Sequence, residues 1–222
     1  MSLFDRPPTR YAIYYVPPPG PFARWGAEWL GWDAEAGCRL SHPLSTDALV
    51  APARKYGFHA TLKAPFRLVG PPEDLEAAVN DLAHRLSPVF PGALGLARLG
   101  TFLALVPQGD TRALNDLAGQ VVAFLDPFRA PLTEAEIAHR KPERLTPKQR
   151  LLLDRWGYPK VMEEFRFHMT LTGPCDLAPE ALAPHLEPVL PDPFTVDSLC
   201  LMGEGEDGMF RLIRRYPLSR SP

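Results

Sequence analysis

Cysteine is scarce in this chain: three in 222 residues, at positions 38, 175 and 200, with no C-x-x-C. An odd number of widely spaced thiols argues against a disulfide framework and against a zinc ribbon, and fits a reducing compartment. Long hydrophobic runs are missing as well. Nothing approaches the ~20 apolar residues of a membrane span, and the opening MSLFDRPPTRYAIYYVPPPG has no apolar stretch of signal-peptide type. A cytoplasmic protein without a membrane partner is expected. A basic excess is also lacking: 24 Lys and Arg stand against 26 Asp and Glu, which argues against a partner such as duplex DNA. A local basic pocket remains open, and most of the cations are arginine, whose planar fork suits phosphate. No G-x-x-x-x-G-K-[ST] occurs, against an ATP-driven P-loop enzyme. No H-E-x-x-H or comparable spacing offers a metal site, and no cofactor is expected.

Proline is plentiful, at 27 residues, but it is spread between apolar runs, and a 45% hydrophobic content is too high for a disordered chain. A chain of this length buries roughly 70% of its unfolded surface and needs no staples. RYAIYYVPPPG begins as a strand. PFARWGAEWLGWD places Trp25, Trp29 and Trp32 at helical spacing, an aromatic face best read as core. PPEDLEAAVNDLAHRL and DTRALNDLAGQVVAFLDPF read as amphipathic helices. Strands are expected around Gly100 and on both sides of the GEGEDG turn. Thr146 is an expected N-cap, with Pro147 at the first helical position.

One phrase is written twice. KYGFHATLKAPF spans 55–66 and EFRFHMTLTGPC spans 164–175; both read aromatic-x-Phe-His-x-Thr-Leu-x-(Ala or Gly)-Pro. Each is preceded by a helix and followed by a helix opening with Pro-Glu and then by a strand pair. The whole chain, 1–222, is therefore expected to be one bilobal α+β domain. It would consist of two pseudo-symmetric lobes, each an antiparallel sheet with helices outside, enclosing a central cleft. Two copies do not make a solenoid, which needs at least three.

Strand alternation gives each phrase two faces. Phe58, Ala60 and Leu62 share one face, and Phe167, Met169 and Leu171 match them. His59, Thr61 and Lys63 share the other, with Arg166, His168, Thr170 and Thr172 as counterparts. A single His-x-Thr is an ordinary surface feature; two in the same apolar frame point to a site. Gly57 is expected to leave open space beside His59, where backbone can approach a ligand.

If both polar faces line one cleft, it holds two imidazoles and two hydroxyls. Imidazole titrates near pH 6.5, so one neutral ring can take a proton from a nucleophile while the other, protonated, delivers one to a leaving oxygen. Thr61 and Thr170 can donate to non-bridging oxygens, and Lys63 or Arg166 can offset developing charge. The scheme suits phosphodiester cleavage and requires no metal. Which histidine is the base stays open.

The paired His-x-Thr-Leu phrases in a duplicated α+β chain resemble the two-histidine (2H) phosphoesterase superfamily. RYAIYYVPP, YGFHATLKAPF and GYPKVMEEFRFHMTLTGP look like its bacterial DUF1045 branch, linked by name to phosphonate metabolism. The resemblance covers nearly the whole chain. It implies a bilobal antiparallel fold and metal-independent hydrolysis of a small cyclic phosphodiester, such as a nucleoside or ribose cyclic phosphate. It also implies His59, Thr61, His168 and Thr170 in the site.

Other residues carry weaker signals. Lys63 and Arg166 are candidate phosphate contacts, and Tyr15 is a candidate for stacking on the substrate. Arg54 and Lys55 are read as solvated charges, and His84 and His185 as surface residues on helices. His42 and His139 stand in no repeated frame. The basic run 138–150 is read as a solvated face, with a lid over an anionic substrate as the alternative. A rival reading has the same cleft hold a nucleotide or RNA end without turnover. A third, RNA-end joining, is disfavoured by the charge.

Overall fold

The computed structural model describes residues 3–41 and 45–219, so His42 lies outside the described residues. In chain order the strands and α-helices are β1 (Tyr11–Tyr15), α1 (Pro21–Leu30), β2 (Trp32–Asp33), β3 (Cys38–Arg39), α2 (Asp47–Arg54), β4 (Ala60–Phe66), α3 (Pro72–Arg85), β5 (Leu94–Leu99) and β6 (Phe102–Pro107). Then come α4 (Arg112–Phe124), α5 (Glu134–His139), α6 (Pro147–Trp156), β7 (Met169–Thr170), α7 (Ala183–Leu186), β8 (Ser198–Glu204) and β9 (Phe210–Pro217). Thr146 caps α6 as expected: its side chain accepts from the Gln149 N–H at 3.2 Å while Gln149 Oε1 accepts from the Thr146 N–H.

Seven strands form one antiparallel sheet in the order β5-β6-β7-β4-β1-β8-β9. From its middle, the order runs outward through matching elements. The strands of the two phrases, β4 and β7, lie side by side. Next come β1 and β6, each leading into a helix that precedes a phrase, and then β8 and β5. The repeat and the spatial half do not coincide. Strand β5 follows the first phrase but pairs with β6, and β8 follows the second phrase but pairs with β1. The two expected sheets are thus fused edge to edge into one, and each repeat lends its third strand to the other half.

Leu75 and Val79 of α3 and Leu114, Leu117 and Val121 of α4 pack with Ile13, Leu62, Leu103, Leu105, Met169 and Leu201 of the strands in one core. Completely burying a side chain of this size stabilises by about 1.5–3 kcal/mol, so this layer sets the sheet's orientation. The opposite face is only partly covered: Ala12, Tyr14, Cys200 and Met202 pack with Trp32, Ala34 and Phe210.

The expected face of three tryptophans is corrected here. Trp25 and Trp29 stack within α1, ring centroids 5.6 Å apart. Gly31 adopts the left-handed conformation (φ 73°) and ends the helix, so Trp32 opens β2 and its indole N–H donates to the Phe210 carbonyl at 2.9 Å. The phrase strands are also shorter than expected. They begin at Ala60 and Met169, and each histidine sits just before its strand.

Candidate active site

The central pairing builds the site. Ala60 stands opposite Met169 in the antiparallel β4–β7 pair. Stepping one residue either way puts His59 opposite Thr170 and Thr61 opposite His168. Both tetrads therefore face the same side, each histidine across from the other repeat's threonine. Directly opposed positions have Cβ atoms about 4.5–5.5 Å apart and diagonal ones about 7–8 Å, so the two imidazoles flank a gap of phosphate scale. One part of the cleft is lined by His59, Thr170 and Phe102, and the adjoining part by Thr61, His168 and Phe102.

Both rings are held by the same local device. His59 Nδ1 lies 2.9 Å from the Gly57 carbonyl oxygen, and His168 Nδ1 lies 2.8 Å from that of Arg166. A carbonyl only accepts, so each Nδ1 carries the hydrogen and Nε2 holds the free lone pair of the neutral ring. His59 Nε2 accepts from the Thr61 hydroxyl at 3.0 Å. Burial pulls the His59 pKa down to about 4; the Gly57 carbonyl opposes the shift and the nearby His168 adds to it. His168 is lowered by burial too, against the Arg166 carbonyl and helped by the Lys160 charge.

Gly57 serves these contacts through its backbone. It has φ +75°, and a Cβ there would stand 2.7 Å from the Ala34 Cβ. The open space expected beside His59 is filled; the glycine is there to turn its carbonyl toward the imidazole.

Two expected contacts are corrected. Lys63 does not line the cleft. Along β4, Thr61 pairs with Tyr14 and Lys63 with Ile13, leaving Leu62 as an extra residue. This bulge breaks the alternation and turns Lys63 to the helix-covered face, where Nζ donates to Val122 O at 3.2 Å and Asp126 Oδ1 at 3.3 Å. Burial lowers its pKa to about 8 against the pull of Asp126. Tyr15 pairs with Ala60 of the apolar face and packs against Phe167 and Phe194 in the core. Its neighbour Tyr14 is the one of the two that reaches the site, stacked on His59 with centroids 3.9 Å apart. Arg166 is exposed and shares the cavity with His168 and Thr61.

Several lining residues escape sequence reasoning. Tyr158, Lys160 and Gln149 come from the insertion between the halves, and Phe102 from the start of β6, its ring 5.9 Å from that of His168. The GYPK stretch was visible as part of the second phrase's surroundings, but nothing in its pattern aims it at the histidines. Arg54 is buried, its Nε donating to Leu30 O at 2.6 Å, rather than solvated. The basic run is exposed for most of its length, with Gln149 alone of its residues lining the cavity. Among the described residues no group of three or more His, Cys, Asp or Glu side chains is placed to hold a metal ion. No helix among them is long and apolar enough to cross a membrane.

Comparison with known proteins gives a family and, among solved structures, distant likenesses. A family model described as "Protein of unknown function (DUF1045)" matches residues 61–211. Ribose 1,5-bisphosphate phosphokinase PhnN of Janthinobacterium sp. (strain Marseille) is 38% identical over 183 residues, covering 74% of this chain and 38% of that protein. The protein of the same name from Laribacter hongkongensis (strain HLHK9) is 36% identical over 220 residues, covering 92% and 51%. The chain thus spans about half the length, or less, of the curated relatives it matches. Among solved structures, E. coli LigT complexed with 3′-AMP superposes with a TM-score of 0.47 at 15% identity, covering 96% of this chain and 99% of that one. A structure described only as a phosphoesterase gives 0.45 at 14%, with the same coverage.

Proposed function

The chain belongs to the DUF1045 family, and on that premise we propose that it is a metal-independent phosphoesterase of 2H type that opens a small cyclic phosphodiester. One observation carries the reading: the Ala60–Met169 pairing sets two His-x-Thr units on one face of one sheet, each histidine opposite the other unit's threonine.

Burial lowers both imidazole pKa values, and the deeper depression at His59 favours it as the base. His59, neutral at pH 7, takes a proton through Nε2 from the attacking water. The new O–P bond forms as the ring P–O bond breaks, and His168, as imidazolium, gives its Nε2 proton to the departing oxygen. The bound anion raises the pKa of His168 and so supplies the acid form. Thr170 donates to a non-bridging oxygen; Thr61 does so when its hydroxyl turns from His59 Nε2 to the bound phosphate, which also frees that lone pair for the attacking water; and Arg166 offsets the charge that builds there.

The names of the relatives support a ribose substrate. A kinase named for ribose 1,5-bisphosphate contains a segment like this chain within a longer polypeptide. Opening a ribose cyclic phosphate releases a ribose phosphate monoester, the class of compound such a kinase takes. That link is also what supports a place in phosphonate metabolism.

The test is turnover of ribose and nucleoside cyclic phosphates in the presence of a chelator. His59→Ala and His168→Ala should each lose at least ~100-fold, the usual scale of general acid–base help. Unimpaired turnover in either variant removes that ring from the mechanism. Tight binding without turnover across the panel would favour a nucleotide-binding module.

A further inference from the structure

The cleft does not end at the paired histidines. Beyond His168 it opens into a cavity of ≈ 820 Å³ walled by Arg98, Gln149, Tyr158, Lys160, Glu164 and Arg166. Cavities of 300–1,000 Å³ hold ligands of drug size, well above a bare five-carbon cyclic ester.

The wall is cationic in a molecule that pairs most of its charges. Arg67, Arg129, Arg211 and Arg215 each hold a carboxylate. Arg98, Lys160 and Arg166 hold none among the described residues, and the one acid beside them, Glu164, accepts from the Gln149 amide at 3.0 Å. Arg98 is occupied by the carbonyls of Cys175 and Leu177, at 2.8 and 2.6 Å. Two cations remain for a ligand. Arg166 precedes His168 by two residues and serves the scissile phosphate. A cyclic phosphodiester carries a single negative charge, so Lys160 is surplus to it.

The segment bearing Lys160 is firmly placed. Gly157, left-handed at φ 73°, ends α6 and turns the chain into the cleft. The Arg140 guanidinium lies 4.8 Å above the Tyr158 ring, and Met162 holds a second positive φ of 52° just downstream. A non-glycine residue held there is costly, and such strain persists only where surrounding structure over-determines it.

We propose that the substrate bears a second phosphate, remote from the ring being opened, and that Lys160 is the residue that selects for it. This inference rests on the phosphoesterase reading for its kinetics but not for its binding. In the kinetic arm, the full chain is assayed on a pentose cyclic phosphate with and without a phosphomonoester on the distal primary hydroxyl. The ratio of the two kcat/KM values should be about 10 or more for the native chain, the scale of one charge-assisted contact. Lys160→Gln should bring that ratio toward one. A ratio near one in the native chain, or a ratio unmoved by Lys160→Gln, overturns the proposal. In the binding arm, calorimetry compares a pentose bisphosphate with the monophosphate. Tighter binding of the bisphosphate that Lys160→Gln abolishes supports the subsite even if no cyclic ester is turned over, in which case only the phosphoesterase reading falls. Equal binding of the two ligands overturns it.

Discussion

Tyr14 lies against His59, ring centroids 3.9 Å apart and planes inclined by 28°, so the proposed base is packed on a wholly buried phenol. The stack excludes water from one side of the imidazole and fixes its plane, while the Gly57 carbonyl fixes its rotation.

Tyr14→Leu keeps apolar bulk but opens this side to solvent. The charged imidazole then becomes easier to form, and the His59 pKa should rise from about 4 toward 6.5. NMR titration of the ring reads this directly. Turnover should fall about 10- to 100-fold, the range for a misplaced catalytic group. An unmoved titration would show that the stack does not set the base.

The same depression links pH to stability. Unfolded, His59 binds a proton near 6.5; folded, it resists protonation until about 4. The unfolded state therefore holds more protons between these values. Stability is complete above pH 6.5 and falls as the pH drops toward 4, by roughly 3 kcal/mol at most. Denaturant melts of the native chain and of His59→Gln should converge on acidification; parallel curves would contradict the assignment.

Gly57→Ala should damage stability and chemistry together. A left-handed φ of +75° and a contact of 2.7 Å with the Ala34 Cβ force the backbone to move. A loss of about 1–2 kcal/mol is expected from the backbone conformation alone. The carbonyl would swing off His59 Nδ1, and turnover should drop with it. A variant that melts lower but turns over normally would show that the ring does not need this acceptor.

Lys63→Met separates a structural role for this lysine from a role at the phosphate. Asp126 keeps Arg129, whose Nε donates at 2.8 Å, so no bare buried carboxylate is left. The melting midpoint should move by an amount corresponding to about 1–3 kcal/mol, while kcat/KM stays within about threefold. A loss on the scale of the histidine variants would return Lys63 to the cleft.

The sequence showed the twin phrases, the apolar frame around each, the α6 cap and the strand–turn–strand ends, because each is a local pattern with a local cause. What it concealed depends on pairing. Tyr14 and Tyr15 are equivalent until Tyr15 is known to stand opposite Ala60, which commits it to the apolar face. Lys63 looks like a site residue under strict alternation, and a single bulged residue, Leu62, reverses it. The exchange of β5 and β8 between halves is a matter of long-range pairing, which no local pattern records. Lys160 stands in GYPKVMEEFRFHMTLTGP, but it belongs to the insertion, outside the duplicated phrase, so no pattern aims it at the cleft.

That exchange of strands has a mechanical consequence. A clam with two shells opens at its hinge, but here each shell is stitched with thread drawn from the other. Two crossings of the chain, from β4 to β5 and from β7 to β8, tether the halves to each other, although the β4–β7 seam between them is itself a short pairing. A visiting molecule must come in over the rim of a preformed gap, so what it can be is decided by the side chains standing along that rim.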